Sequence, residues 1–314
     1  MTRGALLGLF CALAASACGP EHIPPPEGPR PVLDRPADAI PADLDLVIRI
    51  DFARVKNALG PDMMRALAEQ SPRAGDAATE RLLVDAIGRA DTIWVALRPA
   101  SDLEASDNMI VLRGRFSDLD PLKYGGDPRW RGPTDLGAAV RRYDRSAPKL
   151  RSAPARIYVR LPDLVVFVSS AEIDSAERVI ERGADDPSLD PPEKGALALE
   201  GRLGRLTESI ASRSPAAARL LAPARRLRAF VDLEGGGLRG EVELDFELEE
   251  QARRAADATA LFARALAENS GMASRIVAAL RVEAVGSTLV LGLGLGAEQL
   301  AELIACARGD RECA

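Results

Sequence analysis

Alternating hydrophobic and polar positions recur along most of the chain and predict a protein rich in β-strands. The first clear case is Leu44–Asp51, where an apolar residue stands at every second position. A period of two places these apolar side chains on one face of a strand and their neighbours on the other. The same pattern predicts further strands at residues 91–97, 109–116, 138–143, 155–161, 164–169, 227–233, 238–248, 282–285 and 288–295.

Apolar residues three and four positions apart predict amphipathic helices between these strands. The clearest helix is Glu249–Glu268, in which apolar residues from Ala255 to Leu266 form one stripe. Other helices are predicted at residues 53–59, 172–182, 196–212, 215–222 and 297–307, with one more beginning at Thr79. The combination predicts an α+β fold of antiparallel strands and hairpins packed with amphipathic helices.

A polar segment with three prolines, Gly183–Gly195, predicts a boundary between two α+β units at residues 42–190 and 191–314. Both units end on a hairpin followed by a helix, in Pro162–Ile180 and Gly286–Ile304. The two segments keep their apolar positions and share almost no identity. A diverged duplication explains this, and so does independent use of a stable α+β unit.

The N-terminus has the pattern of an export signal. One basic residue, Arg3, precedes an apolar run, Gly4–Ala17, that is too short to span a bilayer as a stable helix. The run ends in Ala15-Ser16-Ala17-Cys18, which resembles the bacterial lipobox. That resemblance implies that residues 1–17 are removed and that Cys18 becomes the acylated first residue. Ala15-Ser16-Ala17 also fits the A-x-A pattern of ordinary secretory cleavage, which would give a secreted protein without lipid.

A proline-rich segment follows Cys18. Residues 18–41 contain eight prolines, each of which fixes a backbone dihedral and removes an amide donor. This composition predicts a semi-extended tether between the membrane and the folded body. The next residues, Ile40–Asp51, resemble a segment of uncharacterised exported lipoproteins of high-GC Gram-negative bacteria of the myxobacterial type. The resemblance implies a protein of the periplasm or the cell surface, anchored in the inner or outer membrane.

Composition excludes several functional classes. The chain has 314 residues, 47% of them hydrophobic, and a formal net charge of −6. An acidic body argues against a nucleic-acid partner, because nucleic-acid binders usually carry a basic face. The single histidine, His22, lies in the predicted tether, so a Ser-His-Asp triad in the folded body is excluded. We expect no metal site and no cofactor.

Two cysteines remain near the C-terminus, Cys306 and Cys313. Export would bring them into an oxidising compartment, where we expect them to form a disulfide. Nearby, Gly292-Leu293-Gly294-Leu295-Gly296 looks like part of a dinucleotide loop but has the wrong glycine spacing. We interpret it as a strand whose leucines line one face and whose glycines let a helix lie close to the other.

One loop has the composition of an interaction site. It contains Tyr124, Arg129, Trp130 and Arg131, and Tyr, Trp and Arg are the residues that most often anchor interfaces. The alternative is that Trp130 folds back over a sheet edge with an arginine stacked on it. Acidic pairs such as Asp43 with Asp45 and Glu249 with Glu250 are interpreted as solvated or helix-capping rather than catalytic.

These observations predict a lipid-anchored protein of the bacterial cell envelope that acts as a non-enzymatic binding or structural module. Its expected partners are the membrane, through the acyl chains on Cys18, and another envelope protein or a lipid. One alternative is a periplasmic carrier that holds a lipid or another apolar ligand between a sheet and its helices. A carboxylate-dependent hydrolase is the less favoured alternative.

Overall fold

The computed structural model describes residues 33, 35–58, 60, 77–99, 107–124, 130–145, 153–183, 189–211, 215–267, 272–300 and 302. Twelve β-strands in these ranges form one antiparallel sheet. They are β1 Leu46–Asp51, β2 Ala90–Arg98, β3 Asp107–Gly114, β4 Trp130–Asp135, β5 Val140–Arg145, β6 Pro154–Arg160, β7 Leu164–Ser169, β8 Leu197–Arg202, β9 Ala224–Glu234, β10 Gly237–Phe246, β11 Leu280–Val285 and β12 Thr288–Leu295.

Helices lie between the strands. They are α1 (residues 52–58), α2 Ala77–Arg89, α3 Ile173–Ala176, α4 Leu203–Ala211, α5 Pro215–Leu221, α6 Glu249–Ala267 and α7 Met272–Ala278. A π-helical turn, Glu177–Glu181, continues α3. Short 3₁₀ turns occur at Pro36–Ala39, Pro121–Tyr124 and Ser170–Glu172, and residues 297–300 are helical. The α+β class predicted from the sequence is confirmed.

The strand order joins both halves of the chain in one sheet: β11-β12-β10-β9-β8-β1-β2-β3-β7-β6-β5-β4. At the junction β1 pairs with β8, and Ile48 lies opposite Leu199. The strands of residues 42–190 and those of residues 191–314 therefore share backbone hydrogen bonds. Residues 32–314 belong to one compact unit. That either half folds alone stays a prediction.

The two halves use the same strand order. Outward from the junction, the first half runs β1-β2-β3-β7-β6 and the second runs β8-β9-β10-β12-β11. The hairpins that the sequence places in correspondence, β6–β7 and β11–β12, occupy equivalent places in this order. The first half then adds β5 and β4. This order supports a duplication, which stays a prediction.

In the first half both faces of the sheet are covered. We call face A the side to which Val47 points and face B the side to which Ile50 points. The core on face A includes Trp94, Val111 and Val166, and is closed by residues 33–44 and by the helical segment 173–181. The core on face B includes Leu112, Ile157 and Phe167, and is closed by α2.

In the second half the helices lie on face B. Leu244 and Leu289 point to this face and pack with Leu203 of α4 and with Ala252 and Ala255 of α6. The helix α6 begins with Glu249 and Glu250, where acidic side chains favour the helix dipole. The leucines of β12 line one face, as the sequence predicts, but the helices pack on that face and not on the face of the glycines.

Two segments differ from the expectations. The tether, predicted to reach residue 41, ends earlier, because Leu33, Ala39 and Ile40 are buried in the face A core and Pro36–Ala39 forms a 3₁₀ turn. Proline at the first position of a helical turn costs no hydrogen bond, so this proline-bearing segment can still fold. The helix predicted from residue 196 begins only at Leu203, because Leu197–Arg202 pairs with both β1 and β9.

Candidate functional site

Face A of the second half carries charged side chains instead of a helical cover among the described residues. The alternation along each strand and the registers of β8–β12 place apolar residues on face B and polar residues on face A. We call the exposed part of face A the outer polar face. Its members are Arg226, Arg228, Phe230, Asp232, Arg239, Glu241, Glu243, Asp245, Arg281, Glu283, Val285, Thr288, Val290, Gly292 and Gly294.

Cross-strand ion pairs organise the middle of the outer polar face. The guanidinium of Arg228 lies 3.5 Å from Glu243 and 3.3 Å from Asp245 on the neighbouring strand. The hydroxyl of Thr288 on β12 donates to Asp245 at 2.9 Å. Side chains opposite one another on adjacent strands stabilise the sheet in this way. The result is a rigid surface of compensated charge spread over three strands.

The segment before β8 forms one rim of this face. Lys194 lies 3.9 Å above the ring of Phe230 and 3.3 Å from the carboxylate of Glu241. Beneath the rim, the buried Arg49 donates to the carbonyls of Glu193 and Gly195. A shallow pocket lies beside Lys194, with about 10 Å³ of space, room for one water molecule. The outer polar face is therefore suited to a broad contact with a macromolecule rather than to enclosing a small ligand.

Gly292 and Gly294 lie in the middle of β12 on the outer polar face. A Cβ atom built at Gly294 would meet no atom within 4 Å, and one at Gly292 would meet only Arg281, at 3.8 Å. The expectation that these glycines let a helix lie close is therefore wrong. Because glycine has no side chain, the surface of face A is instead lower over these two positions of β12 than over the neighbouring strands β10 and β11.

A second polar cluster lies on face A of the first half, beneath the π-helical turn. Arg156 of β6, 8% exposed, binds Glu177 at 2.5 Å and Asp144 at 2.6 Å. The hydroxyl of Tyr158 donates to Glu181 at 2.7 Å. Glu177 and Glu181 lie four positions apart in this turn, so both can face β6. We call this group, with Arg142, the Arg156 cluster.

Contacts within the Arg156 cluster shift the pKa values of Glu177 and Tyr158. The hydrogen bond from Arg156 lowers the pKa of Glu177 below its ordinary value. Burial and the hydrogen bond to Glu181 raise the pKa of Tyr158. A carboxylate this stabilised is a weak base near neutral pH, and a phenol this stabilised is a weak acid. The cluster is therefore built to fasten the turn to the sheet rather than to transfer protons.

A similar cluster fastens α3. Arg98 binds the buried carboxylate of Glu172 at 2.9 Å and Asp43 at 3.1 Å, and Arg178 also reaches Asp43 at 3.3 Å. Burial acts to raise the pKa of Asp43, but the hydrogen bond and charge of Arg98 together with the charge of Arg178 and a backbone hydrogen bond outweigh burial, and the pKa is lowered. Glu249 and Glu250, the other described acidic pair, bind Arg253 and Arg254 one helical turn later.

Sequence reasoning missed Arg156, Tyr158, Glu177 and Glu181. A signal was present, since Arg156 interrupts an apolar strand on its buried side. Its partners lie 12 to 25 positions away along the chain, on another strand and on a helix, so their meeting depends on the tertiary fold.

Comparison with known proteins adds a fold and no function. No protein-family model matches the chain, and no curated protein matches it. The solved structures that resemble it include TP0453. Crystal form I of TP0453 has a TM-score of 0.50 and 15% identity over 87% of this chain and 97% of that one. Crystal form III has a TM-score of 0.51 and 14% identity over 87% and 98%. At such identities the likeness is one of fold alone, in agreement with the α+β class.

The predicted interaction loop is partly folded into the body. Trp130 is 7% exposed, and the guanidinium of Arg145 lies 5.9 Å from its ring. The hydroxyl of Tyr124 binds Asp85 of α2, and with burial this contact raises the pKa of Tyr124 to about 12. The two aromatic side chains therefore stabilise the fold, as the alternative for Trp130 anticipated. Arg131 is exposed on β4, and Arg129 lies outside the described residues.

The predicted lipidation residue Cys18 and the predicted disulfide pair Cys306 and Cys313 also lie outside the described residues. All three stay predictions. In the described part of the chain, no group of three or more potential metal ligands occurs. No helix of that part is long and apolar enough to cross a membrane.

Proposed function

We propose that the protein is a lipid-anchored component of the bacterial cell envelope that acts as a non-enzymatic binding or structural module. The observation that carries the proposal is the outer polar face. In the first half, face A is closed by residues 33–44 and 173–181, whereas the equivalent strands of the second half expose an ordered, charged surface. A sheet face of this kind is suited to a protein partner, and the predicted anchor at Cys18 would hold it close to a membrane.

The clusters of ionised side chains support a non-enzymatic role. The carboxylates of Asp43, Asp85 and Glu177 each bind an arginine, and each has a lowered pKa. General acid–base catalysis needs a group whose pKa is close to the working pH. Turnover of a defined substrate by the purified protein, abolished by a single substitution in the outer polar face, would contradict this role and revive the hydrolase.

The alternative hypothesis is a periplasmic carrier of an apolar ligand. It needs an apolar cavity between face B and α4–α6. Native mass spectrometry of the exported protein separates the two hypotheses. A lipid mass that is lost on unfolding would favour the carrier, and a bare polypeptide mass the binding module.

The anchor has a direct test. Cys18→Ser is expected to move the protein from the membrane fraction to the soluble periplasmic fraction, because acyl chains provide the anchoring free energy. Fractionation of cells that express the parent and the variant from the same promoter measures this. The control is Cys306→Ser, which leaves the predicted acylation site intact and should stay in the membrane. Equal soluble fractions for the parent and Cys18→Ser would contradict lipidation.

The binding surface is tested by photo-cross-linking in cells. A benzophenone amino acid at Gly294 has open space above it, so it should leave the fold unchanged and project from the outer polar face. We expect an adduct with another envelope protein. The control position is Val84, which is 52% exposed on α2 and faces away from face A. Adducts at Val84 but not at Gly294 would contradict a partner on the outer polar face.

A further inference from the structure

The two edge strands of the sheet differ in how they are protected against pairing. β4 carries Pro133, and its register with β5 shifts between Arg131 and Thr134. Proline and an irregular register are common ways to block an edge. β11 has the sequence Leu-Arg-Val-Glu-Ala-Val, with no proline and with an unbroken register against β12. Within the described residues β11 pairs with β12 alone, so the backbone groups on its outer edge can pair with another strand.

The hairpin determines which backbone groups of β11 point outward. Val285 and Thr288 face one another across the two-residue turn Gly286–Ser287, so the groups of Val285 point toward β12. In an antiparallel strand the N–H and C=O of one residue point to the same side, and successive residues alternate. The backbone groups of Val285, Glu283 and Arg281 therefore point toward β12. Those of Leu280, Val282 and Ala284 point to the open edge.

We propose that β11 pairs with β11 of a second copy of this chain, in an antiparallel arrangement with a two-fold axis at Val282. In this register Val282 lies opposite the partner's Val282, and Leu280 lies opposite the partner's Ala284. These are the hydrogen-bonded pairs. The three pairs, with two bonds each, would satisfy the outward groups of both edges.

Charge complementarity selects this register. On face A it places Arg281 opposite the partner's Glu283, and Glu283 opposite the partner's Arg281, in the closer, non-hydrogen-bonded positions. Arg281 and Glu283 are both exposed, and neither has an ion-pair partner among the described residues. A shift of one β11 strand by two residues relative to the other keeps the backbone groups paired. In one direction it would place Arg281 opposite the partner's Arg281, and in the other Glu283 opposite the partner's Glu283. Like charges in opposed positions are destabilising.

The surroundings of β11 also suit a second copy. The helix that packs on β11, α6, carries the two most exposed large apolar side chains of the described residues. These are Leu261, 71% exposed, and Phe262, 65% exposed. Pairing at β11 would bring the two copies of α6 to the same side of a continuous sheet. The proposal goes beyond the proposed function and is independent of the anchor.

Sedimentation velocity of the Cys18→Ser chain, which should be exported without acyl chains, tests the pairing. We expect a concentration-dependent dimer. Arg281→Glu should weaken it by about tenfold or more, because both cross-strand pairs become glutamate opposite glutamate. The double variant Arg281→Glu with Glu283→Arg should restore the dimer, because the charges are exchanged but still complementary. The matched control is Arg239→Glu, an exposed arginine on the inner strand β10 with the same change of net charge.

The variants also separate the pairing from effects on folding. All of them should unfold at the temperature of the parent when diluted to monomer, since position 281 is exposed. A parent that is monomeric at tens of micromolar would overturn the proposal. So would a dimer that Arg281→Glu leaves intact, or one that the double variant fails to restore.

Discussion

Phe167→Ala is expected to lower the free energy of unfolding by about 3–5 kcal/mol. Phe167 is 1% exposed in β7, near the middle of the first half of the sheet, and packs on face B with Leu112 and Ile157. Removing its ring leaves a cavity between the sheet and α2, and close-packed interiors collapse only partly around such cavities. Urea unfolding of the exported chain, with linear extrapolation to water, measures the loss.

The matched control for Phe167→Ala is Val84→Ala on α2. Val84 is 52% exposed, so the change should stay within about 0.5 kcal/mol. A loss below about 1 kcal/mol for Phe167→Ala would contradict the packing described for face B.

The same urea unfolding curves test the junction of β1 with β8, because halves that share one sheet should unfold in a single transition. Two transitions, only one of them shifted by Phe167→Ala, would support separate units.

Arg156→Met is expected to cost about 3 kcal/mol at neutral pH. Methionine keeps most of the volume of the side chain but removes the charge that Asp144 and Glu177 bind at 2.6 and 2.5 Å. Asp144 and Glu177, 36% and 26% exposed, would then face one another across a partly buried site without the cation that binds both of them. The measurement is again urea unfolding. The matched control is Arg182→Met, which removes a 72% exposed arginine 3.8 Å from the same Glu177 and should cost less than about 0.5 kcal/mol.

The pH dependence of the stability lost in Arg156→Met identifies the cause of that loss. Arg156 lowers the pKa of Glu177 in the folded state, so the stabilisation is fully present above the unfolded pKa and is lost as the pH falls through the folded pKa. The difference between parent and variant should therefore narrow as the pH is lowered from about 7 to about 3. A difference that stays constant over this range would show that lost packing, rather than lost charge, destabilises the variant.

Several features of the fold could be predicted from single segments of the sequence. The helix α6 follows from its apolar stripe, which packs on the sheet. The strands β1 and β12 follow from alternating apolar positions, and β6 and β7, which are buried on both faces, follow from nearly continuous apolar runs. Tight turns such as Gly235–Gly236 follow from the positive dihedrals that glycine adopts easily. Where the local pattern of a segment agrees with its tertiary contacts, the sequence is sufficient to predict the secondary structure of that segment.

Other features depended on contacts between distant segments. Leu197–Arg202 has a composition that a helix also accepts, and it is a strand because β1 and β9 lie on both sides of it. Residues 33–41 were predicted to be the end of a tether, yet Leu33, Ala39 and Ile40 are buried in the core on face A. The partners in the Arg156 cluster and the extent of the outer polar face could not be predicted either, since each unites charged residues from separate strands.

The sequence by itself determined the class of the fold, most of its strands, the predicted export signal and the candidate acylation site at Cys18. These depend on residues that are close along the chain. Only the tertiary structure decided that the two halves share one sheet, that Trp130 is buried, and that β11 is the edge strand of the sheet formed by the described residues. Those features depend on which strands become neighbours in the sheet. The hydrophobic periodicity of a strand predicts which of its faces is buried, but it does not specify which strands lie beside it.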